Sequence, residues 1–246
     1  MTGKYGKIIL GAATAFCLSS AAMAAEEKAQ TLGDLIPGTF SGSLTLTSDY
    51  AFRGVSQTRT DMALQGGLTW KHDSGFYVGT WGSTINFSSA DDSFLEQDFF
   101  TGYTGTVDAF TYDFSATFLF YPKESDYNYW EFAAKGAYDF GPVVAKAGLV
   151  YGPDYFGVLD NGVYVSTGLA VPIPVQFVKL TADANVGYTK TDKNIFSNSD
   201  YVDWNVGLNV ALNDHLSVDL RYVDTNETSL GSIADARFVG GATFAF

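Results

Sequence analysis

Residues 110–121 constrain the fold more tightly than any other stretch of the chain. The even positions are Phe110, Tyr112, Phe114, Ala116, Phe118 and Phe120. The odd positions, Thr111, Asp113, Ser115, Thr117, Leu119 and Tyr121, are mostly polar. A period of two sends these sets to opposite faces of a β-strand. Most of the chain repeats the design. The charged face suits water, whereas the other carries rings too large for a soluble surface. A sheet that is apolar outside and polar inside is an outer-membrane barrel. The pattern predicts an all-β fold: one antiparallel transmembrane β-barrel of about 12 strands, with a polar lumen and aromatic girdles.

No run reaches the roughly 18 apolar residues that span a bilayer as a helix. An alternating barrel and a soluble protein share this average, so the alternation has to decide. The first stretch reads as a targeting signal: Lys4 and Lys7, an apolar core over 8–18, and Ala22-Met23-Ala24 as a cleavage site. The expected organisation is a signal peptide over 1–24, a periplasmic leader over 25–38 ending at Pro37-Gly38, and the barrel over 39–246. Cys17, the single cysteine, falls in the removed segment. The mature chain must then be held by strand pairing and burial, without disulfides. Losing Lys4 and Lys7 deepens the net charge of −13 by two. That charge excludes a nucleic-acid footprint. It suits either attraction of cations or simple loop solubility.

Twelve strands follow from alternation and turn residues, over 41–53, 62–71, 76–87, 94–106, 110–121, 128–140, 143–151, 162–171, 178–189, 201–212, 216–223 and 236–246. Tyr50 and Phe52 are assigned to the outer face of the first. Tyr77, Trp81, Ile85 and Phe87 are the better outward set of the third, where the phase is ambiguous. Pro172 and Pro174 are expected to end the eighth. Connections alternate short and long, the pattern of periplasmic turns and external loops. Rings at strand ends (Phe52, Trp70, Trp130, Phe140, Tyr188, Trp204, Tyr222) suit interfacial girdles. The last strand ends on Phe246, with Phe244 and Phe238 on the same face. A terminal aromatic there resembles the signal read by the barrel assembly machinery.

Enzyme chemistry has little to work with. The mature chain has no cysteine, and His72 and His215 both fall in turns on the periplasmic side. No cofactor motif and no zinc spacing occur. Acidic loop residues (Asp91, Asp92, Glu124, Asp126, Asp224, Glu227, Asp235) are read as solvated or as sharing ions with lipopolysaccharide; weak divalent binding is the alternative.

What remains is the lumen. Inward positions supply the acids Asp49, Glu96, Asp98, Asp113, Glu131, Asp139, Asp183, Asp203 and Asp219. They also supply the bases Arg53, Lys135, Lys146, Lys179, Arg221 and Arg237. Such ions must pair, face water, or both. Twelve strands lie between filled eight-stranded barrels and open sixteen-stranded ones, so a narrow or partly plugged pore is expected. The excess of acids leans towards cations. The stretch 48–58, from Ser48 to Thr58, is the most distinctive. It reads either as a constriction or binding element at the mouth, or as a bulge pinned by an Asp49–Arg53 pair.

That stretch, with Gln65-Gly66-Gly67-Leu68 and Ser74-Gly75-Phe76-Tyr77-Val78-Gly79-Thr80-Trp81, resembles a proteobacterial family of presumed porins, the TorF family, long described as of unknown function. The run Phe52-Arg53-Gly54-Val55-Ser56-Gln57 carries most of the likeness. The resemblance implies an outer-membrane location and a pore. It supplies no substrate, catalytic residue or ligand site. The functional expectation is a channel for small polar solutes, set in outer-membrane lipid and lipopolysaccharide. Two alternatives are a non-transporting surface barrel and a soluble barrel with its greasy faces turned inward.

Overall fold

The structure, a computed structural model, describes residues 37–87, 93–195 and 197–246. The expected signal peptide, nearly all of the leader, and Asp91-Asp92 lie outside the described residues. The strands are β1 (Thr39–Thr47), β2 (Ala51–Phe52), β3 (Val55–Ser56), β4 (Ala63–Lys71), β5 (Phe76–Thr84), β6 (Leu95–Val107) and β7 (Phe110–Phe120). They continue with β8 (Tyr129–Asp139), β9 (Val144–Gly152), β10 (Gly162–Ile173), β11 (Lys179–Thr191), β12 (Asp200–Ala211), β13 (Leu216–Thr225) and β14 (Arg237–Ala245). Twelve of them close into an antiparallel barrel, while β2 and β3 form a separate hairpin. Closure occurs at β1, where Leu44 sits opposite Phe244 of β14 on one side and Gly66 of β4 on the other. With both edges paired, the wall has no free strand edge.

The alternation on β7 behaves as its chemistry demands. Phe110 and Phe114 stand exposed on the outer surface, while Thr117 and Leu119 point in and are buried. The same outward set continues through Leu44, Phe99, Phe132, Leu149, Leu169, Val206 and Leu220. A molecule that exposes so much contiguous apolar surface needs an apolar surrounding. Rings collect near the strand ends, Trp130 stacking on Phe132 and Tyr138 packing on Phe140. The short connections gather at one end of the barrel, the turn end, and the long ones at the other, the loop end. His72–Gly75 is typical of the turns, with Gly75 N donating to the His72 carbonyl at 2.9 Å.

Three local expectations are overturned. The first strand does not run to Arg53. It leaves the wall after Thr47, and Tyr50 and Phe52 are buried inside, not outside. The third strand has the opposite phase: Phe76 and Val78 face out, while Tyr77, Trp81, Ile85 and Phe87 face in. The inward rings fit because the wall beside them is glycine; a Cβ at Gly102 would lie 2.4 Å from the Tyr77 ring, and one at Gly79 the same from Phe100. The eighth strand passes through Pro172, which pairs with Thr181 of β11. Its pairing with β9 has already ended at Ala170, so a residue without an N–H is accommodated there.

Candidate functional site

The lumen falls into two halves. The loop half is filled by chain that leaves the wall. Between β1 and β4 the hairpin β2–β3 turns inward on Arg53 and Gly54, whose φ angles are 45° and 84°. Two successive positive φ values are the signature of the tight type I′ connection. Gly54 adopts this conformation freely; Arg53 does not, and is held there by its contacts.

The hairpin reaches the wall on nearly every side. Arg53 Nη2 donates to Glu131 Oε1 of β8 at 2.9 Å, and Arg53 Nη1 donates to the Tyr155 hydroxyl. Its guanidinium also lies 4.3 Å over the Tyr164 ring of β10. Tyr50 OH donates to Glu96 Oε1 of β6 at 3.0 Å. Gly54 packs against β12 and β13, where a Cβ would come within 3.0 Å of Asp203 and 2.9 Å of Thr225. Asp49 accepts from Arg237 of β14 and, inside the hairpin, from Ser56 and from Thr58 at 2.8 Å. The expected Asp49–Arg53 pair is therefore not formed. Each residue binds a different strand, and a bulge pinned by that pair is replaced by a hairpin pinned to the wall.

Around it a hydrophobic cluster closes, including Phe52, Ile85, Phe87, Leu119, Tyr121, Tyr129, Tyr155 and Phe156. Burial pushes the Tyr155 hydroxyl above its ordinary range, against the opposing pull of Arg53, so it stays protonated. The acids of this half are dry: Glu96, Asp98, Glu131 and Asp203 are all 3% exposed or less. Glu96 also accepts from Tyr121 OH at 3.2 Å, and Asp203 from Tyr164 OH at 3.3 Å. Tyrosine hydroxyls thus take the place of the water expected around Glu96 and Asp203, and Arg53 takes it at Glu131.

The turn half is polar, and its charged side chains are only partly buried. Arg221 of β13 binds Asp183 of β11 through two nitrogens, at 2.7 and 3.0 Å, and Asp219 at 3.1 Å. Asn185 donates to Asp183 at 2.9 Å and to Asn205 at 3.1 Å. All three charged groups keep part of their surface accessible. Across the lumen, Tyr77 OH donates to Asp113 Oδ2 at 2.8 Å, and Asp113 sits opposite Lys135 on β8. Lys146 is partly buried on β9, and Lys179 is exposed where β11 begins. Asp139 does not line the passage. It is exposed at the turn, where it accepts from Gly141 N at 2.7 Å.

In the loop after β13, Glu227 is buried rather than solvated, accepting from Ser229 N at 2.6 Å. His72 and His215 stand in turns, as read from the sequence, within 2.8 Å of Ser74 Oγ and the Ala245 carbonyl respectively. The residues that sequence reasoning missed are the lumen aromatics, Tyr50, Phe52, Tyr121, Tyr129, Tyr155 and Tyr164. One signal was available. Leu119 and Tyr121 fall on the otherwise polar parity of the 110–121 stretch, at its loop end, and an apolar patch on a water face means that face is covered.

Residues 33–246 match the sequence profile of a bacterial family described as proteins of unknown function, Gcw_chp. The chain belongs to that family. The description is coarser than the resemblance drawn from the motifs and contains no TorF name. No curated protein sequence matches. Among solved structures the barrel is similar to a KdgM porin, with a TM-score of 0.57, 11% identity, and coverage of 84% of this chain and 99% of that one. It is equally similar to a NanC porin, at 0.56, 11%, 85% and 99%. A KdgM porin in complex with disordered oligogalacturonate gives 0.56, 10%, 84% and 98%. At these identities the likeness is one of fold: this chain has a closed twelve-stranded antiparallel barrel that matches porin structures.

Proposed function

We propose that this protein is an outer-membrane channel through which small polar solutes or ions diffuse passively along a narrow, charged lumen. The observation that carries the reading is the division of the wall: apolar rings outside, and ionised groups such as Asp183, Asp219 and Arg221 inside and within reach of water. A hydrated path of this kind removes the desolvation cost of crossing hydrocarbon. Carboxylates on it favour cations. The outer band would contact outer-membrane lipid, and the long loops lipopolysaccharide. The last strand, ending at Phe246, would be what the barrel assembly machinery reads.

The hairpin across the loop half supports a second reading, a barrel that does not transport and serves as a structural or surface element. Planar-bilayer recording of the refolded protein separates the two. Discrete conductance steps, cation-preferring in a salt gradient, are expected of the channel. A folded preparation that is silent at all voltages and in all loosened variants would leave the non-transporting reading.

A further inference from the structure

We propose that residues 48–62 form a displaceable gate and not a permanent plug. The inference rests on the channel reading above and adds the regulation of the same lumen. Three independent features of the segment carry it.

The first is backbone strain. Arg53, Arg59 and Thr60 all adopt positive φ, at 45°, 57° and 67°. Arg59 and Thr60 lie in an exposed turn, where Thr60 N donates to Ser56 Oγ of the same segment at 2.7 Å. Arg53 is the buried one, and it keeps this conformation through its contacts to Glu131 and Tyr155 outside the segment.

The second is incomplete satisfaction. Among the described residues, Gln57 Oε1 on the segment, and Asp203 Oδ2 and Arg237 Nη2 on the facing wall, are buried without a hydrogen-bond partner. A permanent filling would leave few such atoms, since each costs the desolvation of a polar group. These three lie where hairpin meets wall, and water would recover that cost once the two part.

The third is the chemistry of the seat. The segment is tied down by Arg53–Glu131 and Asp49–Arg237, and it lies against Glu96 and Asp203. Buried ion pairs add little net stability compared with apolar packing of the same volume. Both surfaces, however, are suited to hydration when exposed. Tyr50, Phe52 and Val55 add apolar packing that keeps the closed state dominant. The ionic ties are the part of the seat that hydration can replace, so the open state is a minor population that loss of one tie should raise. The covalent connections of the segment to the wall are at Thr47 and Ala63, both at the loop end, and opening would break the backbone bonds of Ser48 to Gly240 and of Gln57 to Asn86.

The test is planar-bilayer recording on refolded full-length barrel, with folding checked by heat-modifiable gel migration. Glu131→Gln keeps the shape of the seat but removes the charge facing Arg53. It is expected to raise the time-averaged current by about ten- to a hundredfold, the factor equivalent to one charge-assisted hydrogen bond. In the opposite direction, Gly54→Cys with Thr225→Cys should cross-link the segment to β13. The two Cβ positions lie 2.9 Å apart, within about 1 Å of disulfide geometry. Oxidation should silence this variant and reduction restore it. If the strain of a cysteine at Gly54 prevents folding, the near-isosteric Glu131→Gln alone decides. Equal currents in wild type and Glu131→Gln, or in oxidised and reduced cross-link variant, overturn the gate while the channel reading stands. Silence of every folded form overturns the channel reading and the gate with it.

Discussion

On the lumen face of β8, Tyr129 and Glu131 at the loop end are buried, while Lys135 further along the same face is only partly covered. The contrast repeats around the barrel. Asp203 on β12 is sealed beneath Tyr164, whereas Asp183 and Asp219 on the flanking strands meet Arg221 in reach of solvent. One wall thus encloses two kinds of interior. Twelve strands leave a bore that their own side chains do not fill. Where loops supply chain to fill it, the lumen is a packed core; where they do not, charged side chains keep part of their surface accessible. Stability should therefore concentrate in the first half and selectivity in the second.

Four substitutions probe that division, from the largest effect to the smallest. Leu119→Ala removes a fully buried side chain of the loop half. It should cost about 2–5 kcal/mol by equilibrium urea unfolding in lipid vesicles. A cost below about 1 kcal/mol would mean the half is loosely packed and the contrast false. Leu220→Arg puts a charge on the outer band, where Leu220 is 54% exposed. In vesicles it should destabilise by about 2–4 kcal/mol if that band meets the bilayer midplane. A neutral result would break the assignment of outside and inside on which both halves depend.

Tyr121→Phe deletes one of the two tyrosine hydroxyls that serve Glu96. A loss of about 1–3 kcal/mol is expected, the range for hydrogen bonds to charged groups. The same unfolding assay would show whether tyrosines do replace water around the dry acids. Asp219→Asn alters a partly exposed group of the turn half. Its effect on stability should stay under about 1 kcal/mol. The reversal potential in a salt gradient should nevertheless shift towards anions. Large destabilisation with unchanged selectivity would reverse the roles assigned to the two halves.

The strand count and the twelve-stranded closure were legible because alternation is written into each segment separately. Turns such as His72–Gly75 announce themselves by composition. Parity put Glu131, Lys135, Asp183, Asp219 and Arg221 on the inner face, but it also put Asp139 there, which lies exposed at the turn, and Asp49 and Arg53, which have left the wall. Parity failed where both faces of a segment are apolar. On β5, Phe76 and Val78 compete with Tyr77 and Trp81, and glycines on neighbouring strands settle which rings turn inward. It failed again at Tyr50 and Phe52, whose spacing continues that of Leu44 and Leu46. Asp49 draws the chain off the wall there through Arg237, 188 residues away.

The amino-acid sequence alone determined that the wall is built of twelve strands, roughly where each lies, and that one face is greasy and the other charged. A two-residue period is a local property and needs no partner to be read. Only the tertiary structure decided that half of the charged face is dry, that Arg53 answers Glu131 and not Asp49, and that the first long loop lies inside the barrel. Those outcomes depend on which distant side chains compete for the same enclosed volume, and that competition exists only once the wall has closed.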